Sequence, residues 1–439
     1  MPLTAGRFLA DVGRCAALLG SAAHVLNACT DRYHFAVGLG ASLATGKVSL
    51  LPSTRTPEVV SQLRRFAPDA ICLTDESECD VELPLVRFPQ TGAPDGASSA
   101  PRTSAWPAAG IDPEARAAWV FTSGSTGTPV PHEKTFGRLI DCVRVEAQRL
   151  GLPADRPHAV VATVPPQHMY GLESSVLMPL STGHALVAER PFYPADICAA
   201  LAAVPSPRAL ITTPLHLRAL LAAGLAVPPT DLIVSATAPL AAQLASEVEE
   251  RCATRLLEIY GTTETGSIAV RRTTETPEWR LWPGVTLEQR DGETWARGGH
   301  IAQPIRLLDV LEVVAGDRFL LHGRIADLVN IAGKRSSLAY LNHQLNSIPG
   351  VLDGAFFHSH GDCAMHDAVV TRVGACVVAP GLDAAAITAE LRRRVDPVFL
   401  PRPLLLVPSL PRTSTGKLPQ EALRALAADA QHRPSGGAG

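Results

Sequence analysis

The sequence predicts an α/β protein with doubly wound parallel sheets, and three observations support this prediction. Short apolar, strand-like runs alternate with stretches of helical length and periodicity over much of the chain. Such alternation is typical of strand–helix–strand units around a parallel sheet. The chain has 439 residues, more than one hydrophobic core usually holds, so we expect two or three domains. A hydrophobic content of 46% with 18% charged residues is that of a globular protein.

Taken in order, residues 8–28 and 33–46 come first and have helical spacing of their apolar positions. The strand-like runs then lie at 48–51, 70–73, 117–121, 159–162, 209–212, 232–235 and 256–260. Segments of helical periodicity separate these runs, at 56–66, 133–150, 171–182, 194–204, 214–224 and 240–252. Residues 89–110 are rich in proline, serine, glycine and alanine, which predicts a surface loop.

The pattern changes after residue 279. Short strands separated by turns, such as Asp291-Gly292 and Gly316-Asp317, predict a small antiparallel barrel or sheet that completes a large domain over residues 1–322. A separate strand–helix pattern follows, at 329–331, 338–347, 355–357, 374–379, 383–395 and 404–407. We therefore expect a small C-terminal α+β domain over residues 323–433. Residues 434–439 are predicted to be a disordered tail.

Composition argues against several classes of protein. A net charge of −3 gives no support for a nucleic-acid or anionic-membrane binder. The nine cysteines are scattered without a Cys-x-x-Cys pair, which argues against a zinc site and a secreted disulfide framework. No apolar run approaches the roughly 18 residues that span a bilayer. The expected location is cytoplasmic.

Two short motifs carry the chemistry. The first, Phe121-Thr-Ser-Gly-Ser-Thr-Gly-Thr-Pro129, follows a predicted strand and offers flexible backbone and hydroxyl groups to a polyanion such as triphosphate. It fits neither the Walker pattern nor the nucleophile elbow, and a plain surface turn is the alternative. The second, Pro411-Arg-Thr-Ser-Thr-Gly-Lys417, presents one lysine on a glycine-containing turn. Together they indicate a nucleotide-using enzyme with a mobile lysine.

A third motif, Tyr260-Gly-Thr-Thr-Glu264, places hydroxyls and a carboxylate at a strand end. Glu264 is a candidate Mg²⁺ ligand and Thr263 a candidate donor to a phosphoryl oxygen. A helix N-cap with a capping-box glutamate is the alternative. Four polar loops follow predicted strands, at 122–129, 164–171, 235–239 and 260–264. Because ligands bind beyond the carboxyl ends of strands in open α/β sheets, we expect these loops to form one crevice at one edge.

With Gly323-Arg-Ile-Ala-Asp327 and Gly333-Lys-Arg335, these motifs occur in an order that resembles the adenylate-forming superfamily. That superfamily comprises acyl-CoA synthetases, nonribosomal adenylation domains and luciferases, and the resemblance covers residues 30–425. The compact length and the Thr-Pro-Val-Pro-His sequence are most similar to the hydroxybenzoate:acyl carrier protein ligases of xanthomonadin and aryl-polyene pigment pathways. The superfamily's fold implies that the C-terminal domain is mobile.

The resemblance implies a role for each matching residue. Lys417, Glu264 and Thr122 would be catalytic, with Glu264 holding Mg²⁺. Ala326 and Asp327 would form the hinge between domains. The residues implied for ATP are Thr122, Ser123, Gly124, Ser125, Thr126, Gly127, Ser235, Tyr260, Gly261, Thr262, Thr263, Asp309 and Arg324. The residues implied for the acyl pocket are His168, Tyr170, Thr237, Ala238, Tyr260 and Gly261.

Three departures from the family pattern stand out. Val130 replaces the lysine that usually follows the loop proline, so triphosphate binding would rely on backbone, hydroxyls or a neighbour such as Lys134. Ala326 stands where a hinge carboxylate is expected, with Asp327 one step later. The phosphate loop also begins early, which implies a trimmed N-terminal part.

The resemblance implies ATP-dependent activation of a carboxylic acid as an acyl-AMP, followed by transfer to a thiol. No aspartate lies between Asp155 and Asp196, where amino-acid-activating relatives place one, so an amino acid is disfavoured. Hydroxybenzoate and an acyl carrier protein are the favoured partners. An arginine-rich surface of the small domain (392–394, 402 and 412) would meet an acidic carrier protein, and a solvated basic helix face is the alternative. Aryl- or fatty-acyl-CoA ligation is the alternative. A phosphate-loop kinase and a nucleotide-binding regulator are remote alternatives.

Overall fold

The computed structural model describes residues 2–89, 110–123, 129–324, 328–331, 334–360, 371–413 and 418–432. Most of the predicted surface loop at 89–110 and the whole predicted tail at 434–439 lie outside these ranges. Among the described residues, no helix has the length and apolarity needed to cross a membrane.

The first sheet has six strands in the order β4-β3-β1-β2-β5-β6, and only the β5–β6 pair is antiparallel. Its strands are β1 (His24–Asn27), β2 (Val48–Leu51), β3 (Ile71–Thr74), β4 (Leu85–Arg87), β5 (Arg116–Ser123) and β6 (Pro129–Thr135). Three helices accompany it, α1 (Ala5–Ala16), α2 (Arg32–Ala44) and α3 (Pro57–Phe66).

The prediction of continuous helical character over residues 8–28 was wrong. Helix α1 ends at Ala16, Gly20 adopts a left-handed φ of 58°, and the chain re-enters the sheet as β1. Val25 and Leu26 are fully buried because β1 lies between β2 and β3. A strand buried on both faces forms a continuous apolar run, which periodicity cannot distinguish from a helix segment.

The second sheet has nine strands in the order β17-β18-β13-β12-β11-β10-β9-β7-β8. Its parallel part consists of β7 (Ala159–Ala162), β8 (Ala185–Leu186), β9 (Arg208–Thr212), β10 (Leu232–Ser235) and β11 (Arg255–Thr262). Its antiparallel part consists of β12 (Gly266–Arg271), β13 (Trp279–Leu281), β17 (Asp309–Ala315) and β18 (Arg318–Arg324). Strands β7 and β10 have the predicted bounds, and the α/β fold with parallel sheets is confirmed.

Helices connect these strands. They are α4 (Phe136–Leu150), α5 (Met169–Gly171), the π-helix Leu172–Leu177, α6 (Met178–Thr182), α7 (Pro194–Ala202), α8 (Pro214–Ala222) and α9 (Ala242–Cys252). Residues of both sheets, such as Val120 and Val160, share one buried core with Val143 of α4. This shared core places the β5–β6 hairpin of the first sheet next to the β11–β12 connection of the second.

The strands predicted between residues 279 and 322 are divided between two sheets. Strands β13, β17 and β18 join the nine-stranded sheet. A separate antiparallel sheet contains β14 (Val285–Arg290), β15 (Glu293–Gly298) and β16 (Ile301–Leu307). Within the part of the chain that the structure describes, these strands form an open sheet and no closed barrel.

The C-terminal part has its own elements. They are β19 (Leu328–Ile331), β20 (Lys334–Ser337), α10 (Leu338–Asn346), β21 (Asp353–His360), β22 (Thr371–Val378), α11 (Ala384–Arg392), the 3₁₀ helix Pro397–Phe399, β23 (Leu404–Leu406) and α12 (Gln420–His432). Their buried residues pack among themselves, with Phe356 in one cluster and Phe357 in another. These two clusters contain no residue from before position 329.

Candidate active site

The end of β5 and the turn after β11 meet, although they belong to different sheets. Thr122 Oγ1 lies 3.0 Å from His132 Nε2, and the same nitrogen lies 3.5 Å from Glu264 Oε1. The prediction that the four polar loops share one sheet edge was therefore wrong, because the loop after β5 comes from the first sheet. The structure nevertheless brings Thr122 and Glu264 to one place, with His132 between them.

Glu264 is suited to remain ionised. Its side chain is 39% exposed. Burial acts to raise its pKa, but hydrogen bonds from its own backbone N–H and from Thr262, together with the charges of His132 and Lys134, bring the pKa below its usual value. Glu264 thus presents an anionic carboxylate beside β5 and β6.

The turn that carries Glu264 is closed by hydroxyl groups. Thr262 N–H donates to Thr265 Oγ1 and Thr265 N–H donates to Thr262 Oγ1, each at 3.2 Å. A β-carbon on Gly261 would lie 2.3 Å from the carbonyl oxygen of Gly266, so only glycine fits there. Because this turn joins two antiparallel strands, the alternative of a helix N-cap was wrong. Thr263 is half-buried in the same turn.

His132 and Lys134 are the site residues whose contacts sequence reasoning missed. Val130, His132 and Lys134 alternate along β6 and lie on one face, since successive strand residues point to opposite faces. Burial lowers the pKa of His132, which the charge of Glu264 opposes. Lys134 is 8% exposed and its Nζ donates to the carbonyl oxygen of Glu264 at 2.8 Å. Lys134 was one of three groups suggested for triphosphate binding, and in this structure its ammonium binds the backbone of the turn.

Two residues implied for the nucleotide are also adjacent. Tyr260 donates its hydroxyl hydrogen to Asp309 Oδ2 at 2.7 Å. The Tyr260 ring packs against Trp279 and Phe319, with centroids 5.7 and 5.6 Å away. Asp309 begins β17 and lies opposite Arg324 in the antiparallel pair with β18. The structure thus joins Tyr260 of β11 to Asp309 at the start of β17, opposite the backbone of Arg324 at the end of β18.

The residues implied for the acyl pocket follow two strands and end a third: His168 and Tyr170 come after β7, Thr237 and Ala238 after β10, and Tyr260 and Gly261 lie near the end of β11. Tyr170 is half-buried and donates its hydroxyl hydrogen to the carbonyl oxygen of Val234 at 3.0 Å, next to buried Ser235. Thr237 and Ala238 follow β10 and are half-buried, and Thr237 has a φ of 77°. His168 precedes α5, with its N–H bonded to Pro165 O at 3.3 Å.

A buried arginine holds the backbone that leads into this loop. Arg32 of α2 is fully buried, and its Nη2 donates to the carbonyl oxygens of Ala162 at 2.8 Å and Val164 at 3.1 Å. Its Nη1 donates to Ser175 Oγ. The first sheet's layer therefore fixes the carboxyl end of β7, from which the 164–171 loop leaves.

Several predicted residues fall outside the described ranges. They are Gly124, Ser125, Thr126, Gly127, Ala326, Asp327 and Lys417. Ser123 and Arg324 are described by their backbone alone. Within the described ranges, no group of three or more His, Cys, Asp or Glu side chains is placed to hold a metal ion. A lone carboxylate such as Glu264 still suits Mg²⁺, which usually binds one or two carboxylates together with waters and substrate phosphates.

Comparison with known proteins defines the class. The family profile described as "AMP-binding enzyme" matches residues 18–310. The 4-coumarate–CoA ligase of Rhodobacter capsulatus is 30% identical over 300 residues, which are 67% of this chain and 73% of the relative. The anthranilate CoA ligase AuaEII with anthranoyl-AMP superposes with a TM-score of 0.81 at 16% identity, over 97% of this chain and 92% of that chain. A benzoate CoA ligase from Burkholderia xenovorans LB400 gives a TM-score of 0.78 at 19% identity, over 96% and 94% of the two chains.

The chain belongs to the AMP-binding enzyme family. It is an enzyme, an AMP-forming acid–thiol ligase. The superfamily expected from the motifs is confirmed, and the kinase and regulator alternatives are excluded. At 16% and 19% identity the solved structures establish the shared fold.

Proposed function

We propose that the protein activates a small aromatic carboxylic acid, with hydroxybenzoate favoured, as an acyl adenylate. We propose further that it transfers the acyl group to the phosphopantetheine thiol of an acyl carrier protein. The observation that carries the first half is the meeting of Thr122, His132 and Glu264 across two sheets. It joins the end of a hydroxyl-rich loop to an ionised carboxylate, which is what binding of a magnesium triphosphate requires.

The first half-reaction requires positioning and stabilisation of charge on phosphate. The substrate carboxylate attacks the α-phosphorus of ATP, which forms acyl-AMP and releases pyrophosphate. In our proposal the 122–127 loop binds the triphosphate, Asp309 binds the ribose hydroxyls, and Lys417 stabilises charge that develops at the α-phosphate. Glu264 would hold Mg²⁺, which neutralises charge on the triphosphate oxygens.

The second half-reaction requires access for a thiol. We propose that residues 1–322 form a core domain and residues 323–433 a mobile domain that rotates about Ala326 or Asp327. The separate hydrophobic clusters of the C-terminal part support this division. Rotation would withdraw Lys417 and admit the thiol, which then displaces AMP.

An aromatic acid is supported by the residues near β7 and β10. Tyr170, Thr237 and Ala238 lie next to buried Ser235, and the loop that precedes α5 contains His168 but no aspartate for an α-ammonium group. The 30% identical relative is named a 4-coumarate–CoA ligase, and coumarate is a hydroxylated aromatic acid.

The same relative favours a second candidate, in which coenzyme A is the acceptor. The carrier-protein proposal relies on exposed basic residues of α11 and the turn after it. Arg393 is 78% exposed and pairs with Glu390 at 3.2 Å. Arg412 is instead bound to Asp353 through two hydrogen bonds of 2.7 Å, so it is removed from the proposed docking surface.

Carboxylate-dependent ATP–pyrophosphate exchange tests the proposal. A panel of hydroxybenzoic, cinnamic, benzoic and fatty acids would be compared at equal concentration. We expect the fastest exchange with a hydroxybenzoate. Exchange only with fatty acids would reject the aromatic assignment. A competition between coenzyme A and holo-acyl carrier protein for the preformed adenylate then identifies the acceptor.

A further inference from the structure

Two oppositely charged side chains are buried behind the turn that carries Glu264. Lys134 comes from β6 of the first sheet, and Glu173, which is 2% exposed, comes from the π-helix Leu172–Leu177. Lys134 Nζ donates to the carbonyl oxygen of Glu264 at 2.8 Å, and Glu173 Oε2 accepts from the N–H of Ser267 at 3.0 Å. The turn is therefore held at residue 264 by one charge and at residue 267 by the other.

Glu173 is fitted closely to the turn. Gly266 has a φ of 74°, a left-handed conformation that favours glycine. A β-carbon at this position would lie 2.5 Å from Glu173 Oε1. The Glu173 carboxylate thus packs directly against the backbone of Gly266, and the turn has no space to move toward Glu173.

Lys134 and Glu173 line the same cavity of about 150 Å³, yet they do not pair directly. Among the described side chains, no ion pair within 4.0 Å joins them, and Glu173 Oε1 makes no hydrogen bond. Burial lowers the pKa of Lys134 and raises that of Glu173. Burying either charge carries a desolvation cost that well-placed partners must offset. An arrangement selected for stability alone would join the two charges, whereas here each bonds to the turn backbone.

Strand β6 contacts Glu264 at two points. His132 approaches its carboxylate at 3.5 Å, and Lys134 binds its carbonyl oxygen at 2.8 Å. Both side chains lie on the β6 face that begins with Val130, next to the phosphate loop. The position of Glu264 is therefore tied to the strand that ends this loop.

We propose that Lys134 and Glu173 are positioning residues that fix the 262–267 turn, and with it Glu264, in the active site. The role given to Glu264 rests on the proposed function, whereas the fixing of the turn does not. Neither side chain need touch the substrate. Their effect is to keep the carboxylate where the triphosphate is bound.

Lys134→Met and Glu173→Gln test this inference. Each removes one charge while keeping most of the side-chain shape. We expect amide hydrogen exchange in a peptide covering 262–267 of the ligand-free enzyme to rise about tenfold, since local opening becomes easier. We expect kcat for ATP–pyrophosphate exchange to fall about 10- to 100-fold, the scale of a misplaced catalytic group. The KM for the carboxylic acid should change less than kcat.

Lys47→Met is the matched control. Lys47 is 7% exposed and immediately precedes β2, and its Nζ also donates to backbone carbonyls, at 2.8 Å from Gly20 O and 2.6 Å from Ala22 O. Lys47→Met should lower Tm, and it should leave both amide hydrogen exchange at 262–267 and kcat for pyrophosphate exchange unchanged. In the double variant Lys134→Met/Glu173→Gln, the loss of kcat should be smaller than the product of the two single-variant losses, because both side chains act on one turn.

The outcomes separate the inference from the proposed function. If Lys134→Met and Glu173→Gln lower Tm as Lys47→Met does but leave the turn's hydrogen exchange at the wild-type rate, the two residues are structural only and the inference is overturned. If Lys134→Met does not fold, Glu173→Gln decides in the same way. A wild-type enzyme that shows no pyrophosphate exchange with any acid would end the proposed function, and hydrogen exchange would still decide the inference.

Discussion

At the scale of single residues, the site places a carboxylate beside a histidine, and the pKa of each lies below its usual value. Hydrogen bonds and nearby positive charge lower the pKa of Glu264, while burial lowers the pKa of His132. The proximity of Glu264 to the end of β5 was expected from the sequence, because both motifs follow strands and occur in the order of the family that the chain resembles. The place of His132 in the site could not be predicted, because its contacts cross between two sheets and a lone histidine in a strand gives no sign of that.

Glu264→Gln should lower magnesium-dependent adenylation about 10- to 100-fold, the scale of losing one oriented metal-site group. The substitution removes charge and keeps shape, and the side chain is 39% exposed, so Tm should change little. Pyrophosphate exchange measured over a range of Mg²⁺ concentrations gives the effect.

Glu312→Gln is the control for that prediction, because Glu312 also pairs with a histidine, His322, at 2.8 Å but lies on β17 with an exposed side chain. It should leave the rate unchanged. If the Glu264→Gln enzyme catalysed pyrophosphate exchange at the wild-type rate, Glu264 would be a structural residue of the turn and not a metal ligand.

At the scale of elements, the parallel strands were predictable and the connections between layers were not. Strands β7 and β10 are short, apolar and bounded by polar loops, so their bounds follow from the sequence. Strand β1 was missed because its apolar residues continue the spacing of α1. The division of residues 279–322 between two sheets depends on long-range pairing, such as β13 with β18, which local pattern does not encode.

The packing of α4 on β12 gives a prediction of pH dependence. Burial first, and then the charge of Glu173, raises the pKa of Glu146 from the usual 4.5 to about 8. Between these values the native state holds a proton that the unfolded chain has lost, so the free energy of unfolding falls as pH rises, by up to about 1.4 kcal/mol per pH unit. Glu146→Gln should remove this slope and be the more stable protein at pH 8.

Denaturant unfolding at several pH values between 5 and 8 measures the slope. Gln keeps an oxygen that can accept from Ser267 Oγ, which lies 2.9 Å from Glu146 Oε2. Exposed Glu247 on α9 provides the control, since Glu247→Gln should leave the slope as it is in the wild type. Equal slopes for wild type and Glu146→Gln would mean that Glu146 ionises normally in the folded protein.

At the scale of the whole molecule, the polar contacts between the proposed domains include an ion pair and a hydrogen bond among the described residues. Asp353, at the start of β21, binds Arg412 of the C-terminal motif and also Arg218 of α8 at 3.2 Å. Ser337 Oγ donates to the carbonyl oxygen of His322 at 2.7 Å. A junction of ion pairs and hydrogen bonds, with separate apolar cores on either side, is compatible with rotation between half-reactions.

Lys417→Ala should lower adenylation by about 10²- to 10³-fold, the effect of losing one preorganised charge-stabilising group. Thiol transfer from supplied acyl adenylate should be largely spared, because the proposed rotation has withdrawn the lysine by then. The two half-reactions are measured separately, by pyrophosphate exchange and by single-turnover transfer. An equal loss in both would contradict domain alternation.

The last prediction concerns the acceptor. If an acidic carrier protein docks on the basic end of α11, reversing the exposed charges with Arg392→Glu/Arg393→Glu should raise the KM for carrier protein and leave adenylate formation unchanged. Exposed charges mostly set encounter rates, so transfer by the wild-type enzyme should also slow as salt rises. Arg64→Glu/Arg65→Glu is the matched control, because these arginines also lie in the last turn of a helix and are 58% and 72% exposed. A preference for coenzyme A at equal concentration, or equal effects of the two reversals, would reject carrier-protein docking on α11.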